Sequence, residues 1–212
     1  MSKPEKKKTT QIQISRIETE RLLVPVVGLT PLIVNRFSEK SKRTMLDGMQ
    51  GVKTPKTPKD PEGDYKGAFY LLKDGETRGF PANGFKQATV AGGRFYGNDV
   101  TMVGLRQFMF FHGEIGPDGQ QLVVIEGEPH MREDVVKVKS GGTDLRYRPC
   151  FDEWQAVLDV TYVESSMTRD SLVSFIDAGG MSCGVGEWRP EKKGEFGTYT
   201  VDVTRDIEVI GG

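Results

Sequence analysis

The sequence is short of the residues on which many enzymes and secreted domains depend. Of 212 residues only two are cysteines, Cys150 and Cys183, and two are histidines, His112 and His130. Two cysteines make neither a disulfide framework nor a metal cluster, so a reducing, cytoplasmic setting is expected rather than an oxidising one. The two histidines are far apart, and neither has the spacing of a metal-ligand pair. No Walker lysine loop or Gly-x-Ser-x-Gly elbow occurs, and in Gly184-Val-Gly-Glu-Trp-Arg an arginine stands where a dinucleotide fingerprint needs its third glycine. The expectation is a protein without catalysis, metal or cofactor. Long apolar runs are missing too. No stretch approaches the ~20 residues of a membrane helix, and no membrane partner is expected. The basic start "MSKPEKKKTT" is followed by no apolar stretch, so it reads as a disordered tail over residues 1–15 rather than a secretory signal. Charge of one sign is absent as well: the net charge is −1, so nucleic-acid binding would depend on where cations cluster.

What is present is enough for one elaborated domain over residues 16–212, with 36% hydrophobic and 28% charged residues. The 26 glycines are many for this length and bunch at 75–104 and 179–197, which signals tight turns and close backbone approach. "RLLVPVVGLTPLIVNR" (21–36) reads as a strand running into an extended turn. "FSEKSKRTMLDGMQ" follows as a short helix capped by Ser38. Residues 51–67 hold three prolines and four lysines, too turn-rich for a helix or a central strand, and read as a flexible insertion. A strand "AFYLLK" precedes a helix within residues 80–95 that starts on the Pro81-Ala-Asn-Gly84 turn, with Asn83 as a candidate cap and Lys86 in its first turn, and decays at Gly92-Gly93. "VTMVGLRQFMFF", "QQLVVIEG" and "MREDVVKVK" read as strands, and "SGGTDLRYRP" as a loop. "FDEWQAVLDVTYV" reads as a long strand with Ala156, Leu158, Val160 and Tyr162 on one side. "SMTRDSLVSFIDAGG" reads as a helix capped by Thr168 and ending in glycines. "YTVDVTRDIEVI" closes the chain as a strand. The order predicts an α+β fold with a mainly antiparallel sheet, most economically a ferredoxin-like (RRM-like) core with insertions.

Before that last strand comes "CGVGEWRPEKKGEFGTY" (183–199), which carries two readings. In one, Gly184, Gly186, Gly194 and Gly197 let backbone N–H groups approach phosphates, Arg189, Lys192 and Lys193 supply charge, and Trp188, Phe196 or Tyr199 stacks a base. In the other it is a long hairpin whose Trp188 covers the core edge, with Glu187, Glu191 and Glu195 cancelling the cations. Lys86, the pair Arg146 and Arg148 around Tyr147, and Arg36 with Lys40, Lys42 and Arg43 are further candidate phosphate contacts. For each, a solvated surface charge is the alternative.

Three segments in order carry a resemblance. They are "VPVVGLTPLIVNR", "GFPANGFKQATVAGGRF" and "SLVSFIDAGGMSCGVGEWRPEKKGEFGTYTVDV". Together they resemble the RAMP superfamily, and most of all the repeating backbone subunit of CRISPR effector complexes, over roughly residues 20–204. The chain departs from the family in having Ala82-Asn83-Gly84 where a Gly-Ser-Ser-type run is usual, and an extra acidic residue in Gly194-Glu195-Phe196-Gly197. The resemblance implies a ferredoxin-like core, binding to the backbone of single-stranded RNA or DNA, head-to-tail homo-oligomeric assembly, and other effector-complex subunits as partners. A viral or prophage relative is included in it. Some RAMP backbone subunits cut RNA with a loop aspartate; Asp60 and Asp64 stand in the insertion, with nothing in the sequence to make either catalytic. The rival reading is a phage structural or assembly protein that makes protein–protein contacts only.

Overall fold

The computed structural model describes residue 14 and residues 16–52, 58–137 and 142–210. The expected basic tail lies almost wholly outside the described residues, as do positions 53–57 of the expected insertion. In chain order the elements are β1 (Thr19–Gly28), β2 (Leu32–Ile33), α1 (Glu39–Met49), α2 (Pro61–Gly67), β3 (Tyr70–Leu71), β4 (Arg78–Pro81) and α3 (Ala82–Gly92). There follow α4 (Met102–Phe108), β5 (Met109–His112), β6 (Glu114–Ile115), β7 (Gln121–Val124), β8 (Pro129–Lys137) and β9 (Thr143–Phe151). The chain ends with β10 (Gln155–Val163), α5 (Arg169–Ser182), β11 (Tyr199–Val201) and β12 (Glu208–Ile210).

The core sheet runs β11-β1-β10-β5, every neighbour antiparallel. Helix α3 lies between the first and second of these strands in the chain, and α5 between the third and fourth. Numbered by chain order the strands stand 4-1-3-2, and each β-α-β unit steps over one strand of the other. This is the ferredoxin-like arrangement expected from the sequence. The alternation that marked the strands is used as expected: Leu22, Val24 and Val26 of β1 and Ala156, Leu158, Val160 and Tyr162 of β10 are buried together beneath α3 and α5. Two smaller antiparallel sheets flank the core, β2-β9-β8 and β3-β4-β7-β6.

Pro25 sits in the middle of a strand that has neighbours on both sides, where proline is rarely found. Its carbonyl accepts from the Asp202 N–H at 2.9 Å, so its missing donor faces the same side. There the adjoining chain is broken, β11 pairing with Val26–Gly28 and β12 with Arg21–Leu23. The single closing strand expected over 199–210 is therefore two short pieces. Between them is a turn in which the Asp202 carboxylate accepts from the N–H and hydroxyl of Thr204.

Helices α3 and α5 meet through glycines. A Cβ on Gly92 would stand 2.6 Å from the Gly179 nitrogen and the Phe175 carbonyl oxygen, and one on Gly179 would lie inside the Ala88 carbonyl. Gly179 and Gly180 do not end α5 as the sequence suggests. They lie inside it, because the crossing needs a bare backbone there.

Three further expectations are corrected. The proline-rich insertion contains a helix: the Asp60 carboxylate caps α2 by accepting from the Gly63 N–H at 3.0 Å, and Pro61 occupies the first helical position. Proline is favoured there because its absent N–H would be unpaired anyway. The segment expected as one strand over 100–111 is α4 followed by β5, with Thr101 as the cap. The expected loop around Arg146 and Arg148 is strand β9, paired with β8 along its whole length.

Candidate nucleic-acid interface

The glycine-rich segment after α5 is not a hairpin, and most of its backbone donors are already paired within the protein. It is a compact loop with a 3₁₀ turn at Pro190–Lys192. The Val185 N–H donates to Gly197 O, Glu187 to Ile33 O, Gly194 to Arg189 O, Phe196 to Trp188 O and Gly197 to Pro31 O, at 2.8–3.1 Å. The glycines serve this self-packing. Gly184, Gly186 and Gly197 take φ of 65°, 79° and 68°, and a Cβ on Gly194 would collide with the Trp188 carbonyl. Among the described residues, Gly186, Trp188, Arg189 and Glu195 keep N–H groups without a partner, so any phosphate contact from this loop falls mainly to side chains.

The same loop is bolted to the β8–β9 hairpin. Arg148 is buried, its side chain 1% exposed, and donates to Asp134 at 2.5 Å and to Glu187 at 3.2 Å. Its guanidinium also lies over the Trp188 ring, 5.1 Å from the centroid. Arg132 lies over both Trp188 and Phe196, at 5.4 and 4.8 Å, and its Nε donates to Asp134 at 2.9 Å. Trp188 holds a left-handed φ of 50°, a conformation that a bulky residue keeps only where its surroundings fix it. Arg132 was not singled out from the sequence. Only its cross-strand register with Arg148 brings it here.

The remaining candidates are spread over the molecule. Arg189 is held inside the loop, Nη1 donating to Gly186 O at 2.9 Å and Nη2 to Glu191 at 2.7 Å. Lys192 and Lys193 are exposed, and among the described residues neither has a side-chain partner. Lys86 is the fifth residue of α3, not in its first turn, because the helix begins at Ala82 with Pro81 as its cap; Asn83 instead accepts from Gln87. The Lys86 ammonium lies 5.4 Å from the centroid of the Phe110 ring, and desolvation there lowers its pKa. Arg36 pairs with Glu39 at 3.2 Å and approaches Asp118 at 3.8 Å. Arg146 is half-exposed, 3.8 Å from Asp144. Asp60 is occupied as a helix cap, and Asp64 stands 3.5 Å from Lys59.

The structure adds two residues beside the loop. A cleft of about 200 Å³ is lined by Ala91, Arg94, Phe95, Ser182, Cys183 and Glu191. It opens between the ends of α3 and α5 and the start of the 3₁₀ turn, and Lys192 and Lys193 directly follow Glu191. Phe95 is 66% exposed, with no aromatic partner among the described residues. Cys183 is buried in this wall, and its thiol is pushed up by burial. The signal was in "GGRFYG", where a cation and an aromatic adjoin at a helix end, but nothing in the spacing showed that this end faces the glycine-rich loop.

No protein-family model matches the chain, and no curated protein sequence matches it. Among solved structures it is similar to a chain of the type III-B Cmr-beta complex bound to cognate target RNA, with 9% identity and a TM-score of 0.48. That match covers 91% of this chain and 61% of the other, so the chain spans less than two thirds of the length of that relative. It is also similar to Cmr6 from Pyrococcus furiosus, with 9% identity and a TM-score of 0.41, over 88% of this chain and 100% of that one.

Proposed function

We propose that this chain is a non-catalytic, RAMP-type subunit of an RNA-guided effector assembly that holds single-stranded RNA by its backbone and is present in repeated copies along the strand. The observation that carries the reading is the set of exposed groups on the glycine-rich loop and in the cleft beside it. Lys192 and Lys193 directly follow Glu191 of the cleft lining, and Arg94 and Phe95 line the same cleft. Cations that neither pair nor pack are available to phosphate, and an open aromatic beside them offers a stacking face to any base. The ordered trio of sequence segments and the ferredoxin-like strand order are what point to the RAMP superfamily. In this reading Arg148, Arg132 and Trp188 are positioning residues. Arg189 stiffens the loop rather than meeting the ligand, and Lys86, Arg36 and Arg146, packed on an aromatic ring or beside carboxylates, are left out of the contact set.

Fluorescence anisotropy with labelled single-stranded RNA over a salt series tests this. Each neutralised phosphate adds about 0.7 to the log–log salt slope, so Lys192→Ala with Lys193→Ala is expected to flatten it by about 1.4. Arg189→Ala is expected to weaken binding without changing the slope. Phe95→Ala is expected to cost about 1–3 kcal/mol of affinity at unchanged slope, as loss of one stacked base does. The assembly part is tested by strand length, since affinity per chain should rise as longer RNA accommodates more copies. The rival reading, a structural or assembly protein making protein contacts only, draws on α1, which has no buried residue and exposes Met45, Leu46 and Met49. It takes over if binding is absent or insensitive to salt.

A further inference from the structure

We propose that His130, Cys150 and Asp152 form a site for a divalent transition-metal ion of the zinc class, where the base of the β8–β9 hairpin meets the turn into β10. His130 and Cys150 are direct partners in the antiparallel register, so their side chains leave the same face of the hairpin. Asp152 follows two residues after Cys150, just past the strand end. One donor atom from each residue lies within 4.8 Å of the other two. The His130 Nδ1 is 3.3 Å from Asp152 Oδ2, and Cys150 Sγ is 3.9 Å from Asp152 Oδ1. Ligands held at about 2.0–2.3 Å in a tetrahedron stand roughly 3.3–3.8 Å apart, so a small closure of these side chains completes three corners. The fourth falls to water.

The donor set selects the ion. Thiolate and imidazole suit Zn²⁺ or Co²⁺, whereas Mg²⁺ and Ca²⁺ demand oxygen ligands. His130 and Asp152 are exposed, which gives the ion an entry path, while Cys150 is buried. A free thiol is mostly protonated at neutral pH and binds a metal as the thiolate, so the metal must displace the Cys150 proton. Arg132 lies on the same face of the hairpin, and its guanidinium is engaged by Asp134 and the Phe196 ring.

The test is a Co²⁺ titration of the full chain, reduced with a phosphine so that no added thiol competes. One ion per chain is expected, with a near-ultraviolet thiolate-to-cobalt band that Zn²⁺ displaces. Binding should release about one proton at neutral pH and tighten as pH rises. Cys150→Ser should abolish the band, and Cys183→Ser should keep it. His130→Ala and Asp152→Asn replace exposed side chains, so folding is preserved, and each should weaken binding at least roughly 10-fold. The proposal is overturned if no band forms with cobalt in large excess, if the band follows Cys183 instead, or if His130→Ala and Asp152→Asn both leave the affinity unchanged.

Discussion

Arg148→Ala is expected to destabilise the protein by about 3–5 kcal/mol, as removing one partner of a buried ion pair does. The guanidinium reaches Asp134 on the paired strand and Glu187 on the glycine-rich loop, with Trp188 under its plane. Its loss would leave the Asp134 carboxylate, 4% exposed, with Arg132 alone as a cationic partner. That remaining bond places the expected cost towards the lower end. Equilibrium urea denaturation measures it, and a cost below about 1 kcal/mol would mean that Arg148 is replaceable packing. The loop should loosen as well as the fold weaken. Faster tryptic cleavage after Lys192 and Lys193 and a changed near-ultraviolet signal from Trp188 are expected in the variant. Arg148→Lys should restore the charge but not both contacts, because an ammonium lacks the planar fork.

The helix crossing gives the second large effect. An exposed helical glycine replaced by alanine normally gains about 0.5–1 kcal/mol. At Gly179 the sign should reverse, since the new methyl group would lie within the Ala88 carbonyl and force α3 away. Overpacking of this kind costs about 1–3 kcal/mol, occasionally more. Gly92→Ala, on the other side of the crossing, should behave alike. Gly48→Ala in α1 is the control, with nothing within 4 Å of the added atom, and no loss is expected there. Thermal unfolding of the three variants checks the order. If Gly179→Ala melts with the wild type, the helices are not held at the distance described.

The core was legible because its signals are local. Alternation in β1 and β10 and the caps Ser38 and Thr168 need no distant partner, and Ser38 and Thr168 accept the N–H bonds of Ser41 and Ser171 as the sequence implied. Misreadings came where one signal hid another. The prolines of the insertion masked the Asp60-Pro61 helix start, and the apolar run after Val100 masked Thr101 as a cap. Arg146 and Arg148 looked like a loop pair because their strand partners lie 12 and 16 residues away. At the site the sequence showed where cations are but not which are already engaged. Arg148 and Arg189 are held by carboxylates of the protein itself, while Lys192 and Lys193 are not. His130 and Cys150 are 20 residues apart and adjacent only through register, so spacing along the chain could not associate them.

The broken seam opposite Pro25 bears on how copies of the chain would join. Sheets grow by adding a strand to an edge that offers an unbroken ladder of donors and acceptors, and short edge strands are one way such growth is blocked. Here that side ends in two three-residue pieces separated by a turn. A neighbour laid along it would find half a ladder and then a gap. In the proposed repetition along RNA the core sheet would therefore not be continued through this edge, and exposed groups such as Met45, Leu46 and Met49 of α1 offer a side-chain surface instead.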